Sequence, residues 1–343
     1  MPLAHLPVSV LLPVYNEAVH IDACLASLAA QDYPGDWEVL VAEGGSTDGT
    51  GDRLEAWAAR FRLFRVIDNP RRLQAHGLNL LAREASGEVL VRADGHTVYA
   101  SDFVRRSVEL LLSTDVVAVG GVMRPEGLTP FARAVAIAMT APLGVGPGRF
   151  HYAERRQAAD TAYLPAFRRT DFLAAGGYRV FSSGAGEDAE LHHRWRRQGR
   201  TILLDPSIRS TYRPRETPGA LWRQFFKYGR SKAEMLYLNR RLPAWRGLAP
   251  LALVLGLMVT GLAAVLTPIR WPLLILAGAW LAVVGAVAVR PRRPAGLMLQ
   301  VAGAVAIMHL AYGLGLLIGL LRGPGQVGDL KEATKSADVG PSR

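Results

Sequence analysis

Cysteine is almost absent from this chain, since Cys24 is the only one among 343 residues. A lone cysteine excludes an internal disulfide and is typical of proteins that work in a reducing compartment. Residues 1–7 also lack the basic segment of a secretory signal peptide, and the apolar run that follows is too short to serve as one. We therefore expect no cleaved leader.

Charged residues become scarce after residue 247. Three apolar stretches follow, and each is close to the ~20 residues that cross a ~30 Å hydrocarbon core. None shows the amphipathic period of a helix in a soluble core, so we predict three transmembrane helices. They are residues 248–266, 272–289 and 297–321. Gln300 and His309 lie inside the third stretch, where we predict hydrogen bonds between helices.

The net charge is +11, and basic residues gather between residues 213 and 246, beside the first predicted span. A basic cluster next to a span favours attraction to anionic lipid over binding of nucleic acid. Arginines also lie between the second and third spans (290–293), whereas the loop between the first two carries only Arg270. By the positive-inside rule the N-terminal domain and the 290–293 loop are cytoplasmic, and three spans would put the tail from residue 322 outside.

Just ahead of the first span, residues 218–239 form a predicted amphipathic helix. Aromatic and aliphatic side chains fall on one side of it, and Arg223, Lys227 and Arg230 fall on another. A basic amphipathic helix with aromatic residues is typical of a helix lying in the membrane interface. We expect that position here.

Strand and helix patterns alternate along the N-terminal third of the chain, which predicts a parallel, right-handed wound sheet. The predicted strands are 8–12, 38–42, 63–67, 88–93 and 116–119, and the predicted helices are 18–31, 51–61, 73–85 and 102–112. After residue 124 the alternation loosens, and later strands are predicted at 161–169 and 201–205.

The glycine-rich segment 44–49 lacks the Lys-Ser/Thr ending of a P-loop and the G-x-G-x-x-G spacing of a dinucleotide fold. This argues against a nicotinamide dehydrogenase. We interpret the segment as a turn and helix cap, in which Asp48 is structural.

Acidic side chains follow three of the predicted strands, where ligands bind in open α/β sheets. Glu17 and Glu43 each come directly after a strand, and Asp94 follows a third. Carboxylates at these positions can accept hydrogen bonds from ribose hydroxyls and from the N–H of a base. The pattern predicts an enzyme that binds a nucleotide.

Taken in order, these motifs resemble family 2 glycosyltransferases, which are inverting enzymes of the GT-A fold that use nucleotide sugars. The resemblance covers roughly residues 7–230 and is strongest toward the bacterial exopolysaccharide branch, represented by succinoglycan biosynthesis glycosyltransferases. It rests on Pro13-Val14-Tyr15-Asn16-Glu17, Glu43-Gly44-Gly45-Ser46-Thr47-Asp48-Gly49-Thr50, Asn69, Gly77, Asn79, Ala93-Asp94-Gly95-His96 and Glu187-Asp188.

The resemblance implies an α/β GT-A domain over residues 1–216, with a mostly parallel sheet flanked by helices. A basic interfacial helix (217–246), three transmembrane helices (247–321) and a polar tail (322–343) would follow it. It also implies a multi-pass protein of the bacterial inner membrane with a cytoplasmic catalytic domain.

The resemblance assigns a set of residues to the nucleotide-sugar donor. They are Pro13, Val14, Tyr15, Glu17, Glu43, Ser46, Arg71, Asn79, Asp94 and Lys227. Glu43 stands where the family usually has Asp. Arg71 offers a bidentate fork to a diphosphate, but Arg72 lies beside it and the sequence does not decide which of the two points inward.

Asp94-Gly95-His96 stands where the family has Asp-x-Asp, whose carboxylates hold a divalent cation. Imidazole suits transition metals better than Mg²⁺, so Asp94 and His96 together favour Mn²⁺ over Mg²⁺. The alternative is that His96 is an ordinary loop residue.

Glu187 and Asp188 are predicted to open a helix, and the resemblance makes Asp188 the general base with Glu187 beside it. The alternative is that both acids only complement the helix N-terminus. Lys227 and Tyr228 occupy the last two positions of the Gln-x-x-Arg-Trp motif of processive relatives, which argues for addition of a single sugar. Lys227 or Arg230 is then expected to neutralise a phosphate.

The predicted function is transfer of one sugar from a nucleotide-sugar donor, a UDP-sugar, to a polyprenyl-linked glycan at the bilayer surface, in a possible polysaccharide-assembly complex. Two alternatives stay open. One is a synthase that glycosylates polyprenyl phosphate directly. The other is a non-catalytic nucleotide-sugar-binding scaffold of a polysaccharide complex, which the Asp-Gly-His departure at residues 94–96 favours.

Overall fold

The structure is a computed structural model that describes residues 6–146, 148–239, 245–291 and 293–323. These residues form two compact units. The first contains residues 6–124 and Ala153–Tyr212, and the second contains Pro125–Tyr152 and residues 213–323. Pro125–Tyr152, which the sequence predicts to lie in a domain over residues 1–216, belongs to the second unit together with the three long apolar helices.

The strands all lie in one sheet of the first unit. They are β1 (Val8–Val14), β2 (Trp37–Glu43), β3 (Phe64–Asp68), β4 (Val89–Arg92), β5 (Thr97–Tyr99), β6 (Ala118–Pro125), β7 (Gln157–Ala158), β8 (Tyr163–Arg168) and β9 (Ile202–Tyr212). The helices are α1 (Ile21–Ala29), α2 (Thr50–Ala58), α3 (Gln74–Glu84), α4 (Phe103–Ser113), α5 (Pro130–Thr140), α6 (Pro142–Val145), α7 (Arg169–Ala174), α8 (Glu187–Arg197), α9 (Pro218–Asn239), α10 (Ala249–Leu266), α11 (Trp271–Ala288) and α12 (Ala295–Arg322).

The parallel part of the sheet confirms the prediction from the strand–helix alternation. Its strands are ordered β3-β2-β1-β4, and β1 lies at the centre, paired in parallel with β2 and β4. Val10, Leu11 and Leu12 of β1 are completely buried, as expected for a strand covered on both faces.

Antiparallel strands complete the other half of the sheet, which continues from β4 in the order β8-β6-β9-β5. β8 pairs antiparallel with β4 and β6 pairs antiparallel with β8, so the two halves of the sheet meet at the β4–β8 pair. β9 is about twice as long as predicted, because its second half pairs with β5.

Within the described residues, α10, α11 and α12 are long and apolar enough to cross a membrane. The predicted amphipathic helix 218–239 is present as α9. The predicted hydrogen bond between helices forms at His309, whose Nδ1 accepts from Trp280 Nε1 at 3.3 Å while its Nε2 donates to the Leu143 carbonyl at 2.9 Å. Gln300 differs, since its buried Oε1 has no partner within the described chain.

Candidate active site

The loops after β1 and β2 are joined by hydrogen bonds. The Asn16 N–H donates to Ser46 Oγ at 2.9 Å, the Thr47 N–H donates to Asn16 Oδ1 at 2.9 Å, and the Ala18 N–H donates to Asp48 Oδ2 at 3.0 Å. Asp48 also accepts from the Thr50 hydroxyl at the start of α2, and this bond lowers its pKa. Asp48 is structural here, as predicted. The same bonds explain why the first helix begins at Ile21 and not at residue 18.

Glu43, at the end of β2, holds the loop that follows it. Its carboxylate accepts from the backbone N–H of Gly45 at 2.7 Å and of Ser46 at 2.8 Å. Burial raises the pKa of Glu43, but hydrogen bonds from Ser46, Gly45 and Gly44 outweigh burial and lower it overall. Glu43 is therefore an ionised acceptor of fixed orientation at the carboxyl edge of the sheet.

Tyr15 is presented at this edge, with 41% of its surface exposed. The Arg72 guanidinium lies 5.4 Å from the centre of the Tyr15 ring, a cation–π distance. Arg72 Nη2 is also 3.4 Å from where a Cβ on Gly45 would stand. Arg72 thus joins the loops after β1 and β2.

Three of the residues assigned to the donor have buried side chains in the first unit, and their assignment stays a prediction. Pro13 and Val14 lie inside β1 with buried side chains. Asn79 is 1% exposed, and its amide is fully engaged with one backbone: Nδ2 donates to the Tyr178 carbonyl at 2.6 Å, and Oδ1 accepts from the Tyr178 N–H at 2.8 Å. Asn79 therefore positions the loop before α8.

Arg92 is the centre of an acidic cluster that sequence reasoning missed. It is buried at the end of β4, and its Nε lies 3.3 Å from Asp94 Oδ1. Its Nη1 donates to Glu187 Oε1 at 3.1 Å and also to Asp188 Oδ1. One guanidinium thus joins the end of β4 to the first turn of α8. A usable signal was present in the sequence, because an arginine inside a buried strand requires partners.

The pKa of Asp188 is raised, whereas that of Glu43 is lowered. Burial raises the pKa of Asp188 to about 7, the charges of Glu187 and Asp94 act in the same direction, and Arg92 opposes them. Its side chain is 27% exposed, whereas that of Glu187 is 6% exposed. Asp188 is therefore the member of the cluster that a substrate can reach, and its carboxyl exchanges a proton near neutral pH.

Asp94 and His96, the two predicted metal ligands, have different protein partners. Asp94 Oδ1 accepts from Gln74 Nε2 at 3.0 Å, whereas His96 Nδ1 lies 2.9 Å from Glu17 Oε1. Among the described residues no three His, Cys, Asp or Glu side chains are grouped around one metal position. The bonds above leave Asp94 Oδ2 and His96 Nε2 for a cation, so the fit is to a site with two protein ligands.

The structure thus brings Glu17, Asp94, His96, Glu187 and Asp188 together at the carboxyl edge of the parallel strands. Lys227 lies on α9 in the second unit, with an exposed side chain.

Behind α8, a second network supports this arrangement. Both carboxylate oxygens of Glu190, which is completely buried, accept from Arg194 Nε at 2.9 Å. Arg194 also donates to the Gly177 carbonyl at 2.6 Å, next to the residue that Asn79 holds. The loop before α8 is therefore held by both Asn79 and Arg194.

Known proteins resemble this chain over most of its length. Residues 9–174 match the family model described as Glycosyl transferase family 2. The succinoglycan biosynthesis protein ExoA of Rhizobium meliloti is 31% identical over 312 residues, which cover 89% of this chain and 92% of that protein. The dolichyl N-acetyl-alpha-D-glucosaminyl phosphate 3-beta-D-2,3-diacetamido-2,3-dideoxy-beta-D-glucuronosyltransferase of Methanococcus voltae is 24% identical, over 74% of this chain and 82% of its own.

Among solved structures, the mannosyltransferase PcManGT from Pyrobaculum calidifontis, in complex with GDP-Man and Mn²⁺, has a TM-score of 0.57 to this chain at 22% identity. The match covers 92% of this chain and 86% of that one. Likeness at this identity shows the fold alone, which is the GT-A fold. The identity with ExoA over nearly both full lengths goes one step further: the chain belongs to glycosyltransferase family 2.

Proposed function

We propose that this protein is an inverting glycosyltransferase, anchored in the bacterial inner membrane with its catalytic unit in the cytoplasm. It transfers one sugar from a UDP-sugar to a lipid-linked glycan during synthesis of an exopolysaccharide or another cell-surface polysaccharide. The observation that carries the proposal is the contact of the partly exposed Asp188 carboxyl with the buried guanidinium of Arg92. Similarity to ExoA, a succinoglycan biosynthesis protein, supports the substrate class.

In this mechanism Asp188 is the general base. As the acceptor hydroxyl oxygen attacks the anomeric carbon, its proton passes to the Asp188 carboxylate, and the bond from that carbon to the donor diphosphate breaks on the opposite face. The products are the extended glycan and a nucleoside diphosphate, and the anomeric configuration inverts. Arg92 fixes the orientation of the carboxylate, and its charge favours the ionised form that the step requires.

The remaining residues of this edge bind the donor. Glu17 and Glu43 accept from the nucleoside, Ser46 lines the same loop, and Tyr15 offers a ring face to the base. Arg71 or Arg72 supplies counter-charge to the diphosphate, and Arg72 is favoured by its position over Tyr15. Lys227 neutralises a phosphate of the donor or of the lipid acceptor. We therefore expect Lys227→Glu to raise sharply the Michaelis constant for the donor or for the acceptor.

Asp94 and His96 would hold a divalent cation. An imidazole ligand favours Mn²⁺ over Mg²⁺, and the related mannosyltransferase was solved with Mn²⁺. When bound, the cation supplies charge that stabilises the departing diphosphate.

The test is release of nucleoside diphosphate by the full-length protein in detergent, with a panel of nucleotide sugars and Mn²⁺, Mg²⁺ or chelator. Asp188→Asn should slow release by about 10²–10⁴-fold, and Asp36→Asn, at an exposed acid outside the site, should leave it unchanged. Offering polyprenyl phosphate and a polyprenyl-linked glycan in parallel separates the single-sugar transferase from a polyprenyl-phosphate synthase. Donor binding without turnover on any acceptor would contradict an enzyme and favour the scaffold.

A further inference from the structure

Helix α12 is long enough to cross a bilayer, but its neighbours within the second unit are unusual for a span. Its C-terminal part lies against α9 with almost no gap. A Cβ added at Gly229 would stand 2.1 Å from the Tyr312 carbonyl oxygen, and one added at Gly315 would stand 2.2 Å from the Phe226 carbonyl oxygen. Further along both helices, the Tyr237 hydroxyl donates to the Leu320 carbonyl at 2.5 Å. The two helices therefore pack side by side from Phe226 to Tyr237 of α9.

Helix α9 does not belong in hydrocarbon. Five charged residues lie between positions 223 and 234, and the side chains of Arg223 and Lys227 are exposed. Charges on a helix inside a bilayer are costly. α9 also begins six residues after Tyr212, and no stretch between them is long enough to cross a membrane. α9 is therefore on the same side of the membrane as the first unit.

The middle of α12 has a partner on that side as well. His309 Nε2 donates to the Leu143 carbonyl of α6, at 2.9 Å. The segment of α5 and α6 begins five residues after the end of β6, again with no intervening span. From His309 to Leu320, α12 is thus tied to segments that do not leave the side of the first unit. The residues upstream of His309 form 14 positions, 295–308, or about 21 Å of helix, which is short of a ~30 Å hydrocarbon core.

Helices α10 and α11 form a hairpin. α12 contacts α10 near the first turn of that helix, and His309 of α12 accepts from Trp280, near the middle of α11. A Cβ added at Gly313 would stand 2.2 Å from the Pro250 carbonyl oxygen in the first turn of α10. On α11 the buried residues are close to its C-terminus, at Val284, Val287 and Ala288. At the opposite end Val265 is 82% and Leu274 69% exposed. In a bundle of three spans, the C-terminal half of α12 would cover part of the end of the hairpin that holds Val265 and Leu274. In this structure that half of α12 lies beside Pro250 and α9.

We infer that only α10 and α11 cross the bilayer, and that α12 lies along its surface on the side of the first unit, together with α9. The face of α12 turned away from its buried positions is apolar and half-exposed, as expected of a helix that rests on acyl chains. It carries Ile307, Leu310, Leu314 and Ile318. The chain after α12 then lies on the same side as the first unit.

The distribution of basic residues supports two crossings independently. From Arg322 onward the sequence carries Arg322, Lys331, Lys335 and Arg343. With three crossings these charges would lie opposite the arginines at 290–293. With two crossings all of them share one side, and Arg270 alone is left on the other, in better agreement with the positive-inside rule.

Cysteine labelling of the full-length protein in spheroplasts tests this topology. Cys24, the only native cysteine, is completely buried, so the unaltered chain should stay unlabelled by a membrane-impermeant maleimide. Three separate variants then report three places: Glu55→Cys on the exposed side of α2, Ile269→Cys in the α10–α11 connection and Ser336→Cys in the tail.

We expect Ile269→Cys to be labelled in intact spheroplasts, and Glu55→Cys and Ser336→Cys to be labelled only after lysis. Labelling of Ser336→Cys together with Ile269→Cys in intact spheroplasts would establish three crossings and overturn the inference. Equal behaviour of Ile269→Cys and Glu55→Cys would overturn it as well, because the hairpin would not cross. A reporter that fluoresces only in the cytoplasm, fused after Arg343, gives the same distinction without any substitution in the chain, since two crossings predict fluorescence and three predict none.

Discussion

Two groups of carboxylates lie at the carboxyl edge of the same sheet, and they are held in opposite ways. Glu43 and Asp48 accept hydrogen bonds from backbone N–H groups and a hydroxyl, and the pKa of each is lowered. Asp188 is paired with a buried guanidinium, yet burial raises its pKa to about 7. Hydrogen-bond donors fix the first group as permanent acceptors, whereas burial leaves Asp188 able to exchange a proton. The surroundings of each carboxylate thus decide whether it stays ionised or can exchange a proton near neutral pH.

Removing the guanidinium should have the largest effect, because Arg92→Met leaves three carboxylates close together without their counter-charge. Breaking a buried ion pair by deleting one partner costs about 3–5 kcal/mol. We expect a large drop in the midpoint of thermal unfolding in detergent, together with loss of activity. The matched control is Arg62→Met, whose pair with Asp36 is exposed on both sides and should contribute little. Equal stability of the two variants would contradict the view that Arg92 holds this cluster together.

Asp188→Asn should separate catalysis from binding. A general base contributes about 10²–10⁴-fold, so kcat should fall by this factor while donor affinity changes little. Single-turnover transfer and calorimetric donor titration measure the two quantities. A variant with normal kcat would remove Asp188 from the mechanism and leave the cluster a structural role.

The raised pKa of Asp188 predicts a pH dependence. Its carboxyl is protonated below its pKa and is then unable to accept a proton, so activity should fall as pH drops through about 7 and level off above it. The profile of kcat against pH measures this. Asp48→Asn should keep the same profile with its midpoint unshifted, and a profile that is flat from pH 5.5 to 8 would show that another group limits the reaction.

The smallest effect is expected at Asp48, in the backbone-held group. Asp48→Asn retains the ability to accept hydrogen bonds but loses the charge that its donors favour, so stability should fall by only about 0.5–1 kcal/mol and activity should persist. The thermal midpoint and the transfer rate measure these. A loss of activity as large as that of Asp188→Asn would erase the contrast between the two groups.

Local sequence patterns were sufficient for much of the fold. β1 to β4 and the helices between them follow from apolar runs and turn residues, and α9 has the predicted bounds because its period is regular. Glu187 and Asp188 open a helix as expected, since two glycines and a pair of acids precede and begin it.

Contacts between distant residues lay outside what these patterns encode. Arg92 meets Glu187 and Asp188 across 95 and 96 positions of chain, and Asn79 meets the Tyr178 backbone across 99. Asn79 matches a donor-binding motif equally well, and only its burial distinguishes the two roles. The place of Pro125–Tyr152 in the second unit is a contact of this kind, because the apolar character of the segment does not say which unit covers it.

The connection between α10 and α11 is very short and has a consequence for how this protein reaches its membrane. α10 ends at Leu266 and α11 begins at Trp271, so four residues, including one arginine, join them. If α10 and α11 alone cross the bilayer, as we infer, the hairpin enters it as one unit and these four residues are the ones translocated. Neither the folded catalytic unit nor the basic segments beside the hairpin need to be carried across.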